Sequence, residues 1–314
     1  LIKHPSIFIR SISKDLIFDP WVKDIKNWVK NNDKKFDIII TSYSPMSSLI
    51  AGLILKKKYS AKLVFDLRDL ISIQGQKKKF PIVNFLDEWI DKFIVKQADL
   101  IITVGKVTAQ KASDFYKQQV CTVYNGYDTK PKKRIKPIKS NHMRFFYAGT
   151  LGPHRSPLLL IKCLSEYLLI NQKIYIEILF ASIDNPMSYI SKIKIPNNLK
   201  ITHLGYIDKK QVLKFSKSSD ALILLEGLSN ESIENVTGKV FELICSGKPI
   251  VATSHSQSEA WSIIKECGMG LRINNVVDVN QFFHKFSKVN FIDDKKLEKF
   301  SRKSQTESLI NYFE

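Results

Sequence analysis

Only four cysteines occur in the 314 residues, Cys121, Cys163, Cys245 and Cys267, and no two of them form a Cys-x-x-Cys pair or stand near a histidine cluster. That scarcity excludes a disulfide-stapled scaffold and a zinc ribbon. The thiols read as reduced and structural, as in a cytosolic protein, and no metal site is expected. Long apolar runs are missing too. The longest, Leu158 to Ile170, is interrupted by Lys162 and Glu166 and is too short to span a bilayer. No secretory signal pattern opens the chain, and its start at Leu1 instead of a methionine fits a piece of a longer protein. No internal repeat is visible, which removes solenoids and propellers. Acid is in short supply: 30 Asp and Glu stand against 49 Lys and Arg, giving a formal net charge of +19. Such a balance suits acidic partners (phosphorylated substrates, an anionic membrane surface, nucleic acid), although scattered lysine equally reflects a compositional bias. Nucleic acid is the poorest fit of the three. Aromatic residues are not interleaved with the lysine runs, and neither an RNP-like nor a helix-turn-helix pattern appears.

What is present is a globular composition, 44% hydrophobic and 11% aromatic, in a chain long enough for two domains of about 150 residues each. Asp19-Pro20-Trp21 opens a helix, with Asp as cap and Pro at the first helical position. Apolar runs at Phe36 to Thr41, Leu63 to Phe65, Asp99 to Val104 and Val120 to Tyr124 read as buried strands. Helices fall between them, at Ser47 to Leu55, about Asn84 to Gln97 (amphipathic) and Gly105 to Tyr116. After the turn Asn125-Gly126-Tyr127-Asp128 and a Pro- and Lys-rich stretch, the alternation restarts. Strands are expected at Met143 to Ala148, Lys173 to Phe180, Leu199 to His203, Asp220 to Leu225, Pro249 to Ala252 and Gly270 to Ile273. Helices are expected to Ile170, at Asp208 to Lys217 with an Asp cap, after Gly238, from about Gln257 to Glu266, near Val279 to Ser287, and at Asp294 to Tyr312. Strict alternation argues for parallel sheets with helices on both faces. The expected division is a first domain over residues 1–128, a linker over 129–140, a second domain over 141–294, and a terminal helix over 295–314.

Two loop-to-helix junctions of the second half carry the chemistry. One reads ENVTGKVFE from Glu234 to Glu242, two glutamates eight positions apart around a turn that opens a helix. Thr237 or Asn235 can cap that helix, Lys239 lies in its first turn, and Glu242 follows Gly238 at i+4 on the same side. A helix N-terminus with an added lysine and flanking carboxylates suits a diphosphate joined to hydroxyl-bearing groups. The alternative is a capped amphipathic helix with solvated glutamates. The other junction is Gly149-Thr150-Leu151-Gly152-Pro153-His154-Arg155, where glycines admit close backbone approach and Arg155 offers a bidentate fork to phosphate. In a doubly wound sheet both junctions belong beyond the C-terminal strand ends, where ligands bind. His154, His203 and His255 lack any tie to a nucleophile, and Ser42-Tyr43-Ser44 lacks a base, which excludes a serine hydrolase.

The stretch Glu234 to Glu242 resembles the Glu, seven residues, Glu signature of the retaining GT-B glycosyltransferases of family 4. The likeness extends to FDIIITSYSPMSS at 36–48, VFDLRDL at 64–70, VYNGYD at 123–128 and YAGTLGPHRSP at 147–157. It implies an α/β GT-B fold, two Rossmann-like doubly wound domains facing a cleft. It also implies retaining transfer of a sugar from a nucleotide diphosphate sugar to a glycan or lipid-linked acceptor, without metal or cofactor, the leaving phosphate helping to deprotonate the acceptor. By position, Glu234 would contact the donor sugar. Asn235, Val236, Thr237 and Gly238 would contact sugar and phosphate through backbone, and Glu242 would hold the ribose. Gly149, Thr150, Gly152, Arg155 and Lys239 would line the diphosphate, with Arg155 and Lys239 stabilising its charge. Asp66, Arg68 and Asp69 would face the cleft from the first domain, one of them orienting sugar or acceptor; a helix cap with a salt bridge is their plainer role. The usual Gly-Phe-Gly after the first Glu is Asn235-Val236-Thr237 here. The Asp-x-Arg-Asp and Asn-Gly-x-Asp patterns resemble a bacterial branch of surface polysaccharide synthesis (capsule, lipopolysaccharide), working peripherally at the cytoplasmic face of a membrane. No strand and Gly-rich loop are found before residue 36, so the acceptor half is expected to be truncated. A sugar-nucleotide epimerase or a donor-binding protein without transfer activity is the competing reading, with a basic nucleic-acid-binding protein behind it.

Overall fold

The computed structural model describes residues 20–43, 45–68, 70, 81–128, 141–286 and 294–313. The expected Asp69 and the linker over 129–140 lie outside the described residues. The chain divides into two units, residues 1–124 with 308–314, and residues 125–307.

The first unit contains α1 (Pro20–Lys30), β1 (Ile38–Tyr43), α2 (Met46–Tyr59), β2 (Lys62–Leu67), α3 (Pro81–Val95), β3 (Leu100–Thr103), α4 (Lys106–Tyr116) and β4 (Val120–Thr122). Its four strands are parallel and lie in the order β1-β2-β3-β4. Leu63, Phe65 and Leu67 of β2 project to one side, onto Leu49, Ile94, Val95 and Ala112 of the helices. Val64 and Ile102 project to the other, and there Leu309 and Phe313 from the end of the chain pack on them. Consecutive apolar residues at 63–65 are what a strand covered on both faces requires. Lys62 Nζ donates to the Phe313 carbonyl at 3.1 Å, holding that end of the chain.

The second unit follows with β5 (His142–Ala148), α5 (Leu158–Ile170), β6 (Tyr175–Ala181), α6 (Met187–Ile190), β7 (Leu199–His203), α7 (Lys209–Ser218) and β8 (Ala221–Leu225). Then come a 3₁₀ turn (Asn230–Ser232), α8 (Gly238–Cys245), β9 (Ile250–Thr253), α9 (Glu259–Glu266), β10 (Gly270–Arg272), α10 (Val276–Phe286), α11 (Asp294–Glu298) and α12 (Arg302–Ile310). All six strands are parallel, in the order β10-β9-β8-β5-β6-β7. This is the Rossmann order: the winding starts at β5, runs outward to β7, returns to β8 beside β5 and runs outward again. The reversal lies between β5 and β8. One face of the sheet is covered by α5 and α10, where Phe145, Ile161, Leu164 and Phe282 form the core. On α7, Asp208 accepts from Gln211 N–H at 2.8 Å while Gln211 returns a side-chain bond to Asp208 N–H, so the expected Asp cap is a complete capping box.

The expected single terminal helix over 294–312 is two helices, and the reason is tertiary. Tyr127 N–H donates to Phe300 O at 3.1 Å, and Arg302 N–H donates to Tyr127 O at 2.9 Å. Those bonds take Phe300 and Arg302 out of the helical ladder, as does Tyr127 Oη donating to Leu297 O at 2.8 Å. Gly126, at φ +59°, makes the approach possible, since a Cβ there would meet Phe300 O at 2.9 Å. A Gly126→Ala variant is therefore expected to lose about 1–3 kcal/mol, read as a lower urea midpoint of the second unit with unchanged slope.

Candidate functional site

At the strand reversal of a doubly wound sheet, adjacent crossovers leave toward opposite faces and open a crevice beyond the strand ends. The loop after β5 and the segment after β8 both start there, and each brings charge.

The first loop is held from within. Gly149 N–H donates to Ala181 O at 2.9 Å, Tyr147 Oη to Thr150 O at 2.7 Å, and Leu151 N–H to Asp184 Oδ2 at 3.2 Å. Arg155 N–H closes onto Gly152 O at 2.9 Å, and the exposed Arg155 guanidinium donates to Thr150 Oγ1 at 3.0 Å. Asp184, read from sequence only as a turn residue, is thus a tether of this loop.

From the other side comes α8. Thr237 takes its N-cap position, but its side chain makes no capping hydrogen bond, so the first-turn N–H groups have no side-chain cap. Around Gly238 the space is open: no atom lies within 4 Å of where a Cβ would stand. Gly152 is equally open. Lys239 Nζ stacks 3.7 Å from the Tyr147 ring centroid. It also lies 3.0 Å from where a Cβ on Gly149 would be, and Gly149 has φ +151°. Only glycine lets the loop lie against this ammonium.

The electrostatics follow from that proximity. Burial pushes Lys239 down to about 7, the nearby Arg155 charge adds to the effect, and Glu242 and Glu226 oppose it. Burial likewise pushes Glu226 up to about 7, opposed by a hydrogen bond from Ser258 and by the Arg155 and Lys239 charges. Ser258 Oγ donates to Glu226 Oε2 at 2.7 Å while accepting from Trp261 N–H at 3.2 Å as the N-cap of α9. Tyr147 is raised to about 12, chiefly by burial, and stays neutral.

The glutamate pair divides by exposure. Glu242 is exposed on α8, one turn beyond Gly238. Glu234 is 9% exposed. It stands between Asn235, which is exposed, and Ile233, whose carbonyl accepts Glu259 N–H at 2.9 Å. Val236 is buried and anchors the turn. Arg155, Thr150, Gly149, Gly152, Lys239 and Glu242 are thus brought together with Glu226 at one strand reversal. Arg68 belongs to the first unit, after β2. Its Nε donates to Asp66 Oδ2 at 2.9 Å, and that carboxylate also accepts Ser42 Oγ at 3.2 Å. The ion pair in the plainer account of these residues is present.

Glu226 was not singled out in the sequence. The signal for it is an acid directly after Ala221–Leu225, a strand buried at every position. Replacing it with Gln removes the interaction that supports the Lys239 cation. Glu226→Gln is therefore expected to lower the Lys239 pKa further, measured by NMR titration of the Nζ and Cε resonances.

Among the described residues, no group of three or more His, Cys, Asp or Glu is placed to hold a metal ion. Nor is any helix among them long and apolar enough to cross a membrane.

Residues 1–131, less than half of the chain, match the family described as Glycosyltransferase Family 4. No curated protein matches the chain. Among solved structures, Anabaena HepE in complex with UDP is 16% identical, covers 94% of this chain and 82% of its own, and superposes with a TM-score of 0.63. Sucrose-phosphate synthase from Thermosynechococcus elongatus is 11% identical, with 93% and 76% covered and a TM-score of 0.61. TarM is 14% identical, with 93% of this chain and 57% of that one covered and a TM-score of 0.55. Identities this low establish the shared fold alone, the GT-B fold with its two parallel α/β sheets. The family match over residues 1–131 indicates a glycosyltransferase.

Proposed function

We propose that the chain moves a sugar from a nucleotide diphosphate sugar to a glycan or lipid-linked acceptor with retention of anomeric configuration, in the synthesis of a cell-surface polysaccharide. The supporting observation is the convergence of Arg155 and Lys239 on the Gly149 loop at the strand reversal of the second unit. Two cations held this close repel each other, and a diphosphate between them turns that repulsion into attraction. As the glycosidic bond breaks, the leaving diphosphate gathers charge, and pre-positioned cations with the N–H groups of α8 stabilise it. Glu242, exposed on α8 one turn beyond Gly238, is assigned to the ribose. Glu234, before the turn, is assigned to the sugar. One of Asp66, Arg68 and Asp69 is assigned to orienting sugar or acceptor. The net charge of +19 favours work at an anionic membrane surface, on its cytoplasmic side.

UDP-glucose, the ligand of a HepE structure, is a suitable calorimetric probe. Its binding is expected to survive excess EDTA; complete loss on chelation would overturn a metal-free diphosphate site. Affinity should also fall roughly tenfold between about pH 6 and about pH 8. The sign follows from the two shifted groups: below about 7 Lys239 is charged and Glu226 neutral, and above it the reverse holds. Tyr147 stays neutral, and the diphosphate diester of the probe does not titrate in that range. Gly149→Ala, which drives a methyl into Lys239 Nζ, should weaken UDP-glucose while leaving the thermal midpoint of the first unit in place.

The glutamates separate ground-state from transition-state contacts. Glu242→Ala should weaken UDP and UDP-glucose alike by about 1.5–3 kcal/mol, the value of a hydrogen bond to a charged group. Glu234→Ala should leave UDP affinity nearly intact and lower turnover with a donor that supports transfer. Equal losses of UDP affinity in the two variants would assign the pair a structural role.

A further inference from the structure

The helix α3 of the first unit is built inside out. Its Asp91 is 5% exposed and accepts a hydrogen bond from the buried Tyr116 hydroxyl at 2.9 Å. Its rings point the other way: Phe85 is 67% exposed, Trp89 59% and Phe93 57%. Trp89 and Phe93 stack with centroids 5.8 Å apart at an interplanar angle of 14°. At about 100° per residue, positions 85, 89 and 93 drift only about 80° around the helix, so the rings form one ridge. Leu86, Lys92 and Lys96 fall within about 120° of the same arc. Lys96 is exposed, and Lys92 reaches over the Phe115 ring at 4.1 Å. The acid beside the ridge, Glu88, is paired with Lys92 at 3.8 Å. None of this serves the donor site, which lies in the second unit.

We propose that this ridge is the element by which the chain docks on an anionic lipid bilayer, the three rings entering the headgroup boundary and Lys92 and Lys96 meeting lipid phosphates. The inference rests on the membrane reading given above and assigns it a face. Large rings standing proud of a surface on one helical ridge are costly in water and suit the interfacial layer, where Trp and Phe are favoured. Lysines inside the same arc match the headgroup charge, as does the net charge of +19. A helix whose described acids are buried or paired, and whose lysines flank the rings, is charge-matched to anionic lipid and mismatched to a second, equally basic copy of itself.

The test uses the whole chain with vesicles of equal parts phosphatidylglycerol and phosphatidylcholine, and of phosphatidylcholine alone. The anionic vesicles are expected to bind, with a blue shift of tryptophan emission and quenching by brominated lipid that a Trp89→Phe variant loses. The paired variant Phe85→Ser, Phe93→Ser should partition roughly tenfold less, and Lys96→Glu should lose preference for the anionic vesicles. Both carry changes at exposed positions, and an unchanged thermal melt and UDP-glucose calorimetry will show that fold and donor site are intact. Equal vesicle binding by the paired variant overturns the ridge while leaving attachment by diffuse basic charge. No binding to anionic vesicles by the parent chain overturns both, with the donor reading still decided by calorimetry. Concentration-dependent dimerisation that the paired variant abolishes would overturn the bilayer as occupant in favour of a second copy.

Discussion

Like charge concentrated at a strand reversal is the constraint on which the second unit depends. Arg155 and Lys239 come from different crossovers, on opposite sides of the β5–β8 boundary, yet the Arg155 charge disfavours the ionised form of Lys239. The fold tolerates the repulsion by surrounding the ammonium with compensation: the Tyr147 π-face, the Glu226 carboxylate and the Glu242 carboxylate. Glu226 is in turn made costly to ionise by burial and is held in place by the Ser258 hydroxyl. Two ionisable groups, Lys239 and Glu226, therefore sit near the point where a small change in surroundings decides their charge. A multiply charged anion is the ligand with the greatest leverage on such a set.

Holding Lys239 in that position is the work of residues well behind it. Phe241, two positions on, is fully buried and packs 5.8 Å from the Phe300 ring. Phe300 is the residue whose carbonyl is taken by Tyr127 N–H, under the left-handed Gly126. The Asn125 to Asp128 turn thus supports the floor beneath α8 as well as joining the halves of the sequence. Arg302 adds to the same clamp, donating to Asn125 O at 3.0 Å and pairing with Asp128 at 2.5 Å. A motif that reads as a simple turn has its physical meaning in what it holds some 170 residues later.

Much of the second sheet was legible because its strands are short, mostly apolar and punctuated by loops. Leu199–His203 is found where expected, and Ala221–Leu225 differs only by Asp220 at its start, whose carboxylate accepts Arg144 N–H. Alternation of strand and helix carried the fold class, since a parallel sheet demands it. Two kinds of feature were out of reach. The break between α11 and α12 is imposed by backbone bonds from Tyr127, and a window along 294–312 contains no trace of them. Glu226 was overlooked because its significance lies in Ser258, Arg155 and Lys239, none of which is its sequence neighbour. Spacing reports contacts within a helix; it is silent on contacts across a sheet.

The amphipathic helix of the first unit shows the same limit from another side. Periodicity in residues 84–97 identifies two chemically distinct faces without saying which of them is turned inward. Burial of apolar area would place Phe85, Trp89 and Phe93 inside, yet Ile94 and Val95 are the buried residues and the rings are outside. The inner face carries Asp91, whose carboxylate accepts the buried Tyr116 hydroxyl, beside Ile94 and Val95. That bond does not outweigh the rings by itself, since a hydrogen bond to a charged group is worth about 1.5–3 kcal/mol, comparable to burying one large apolar side chain. The packing of Ile94 and Val95 in the core shares in setting the rotation.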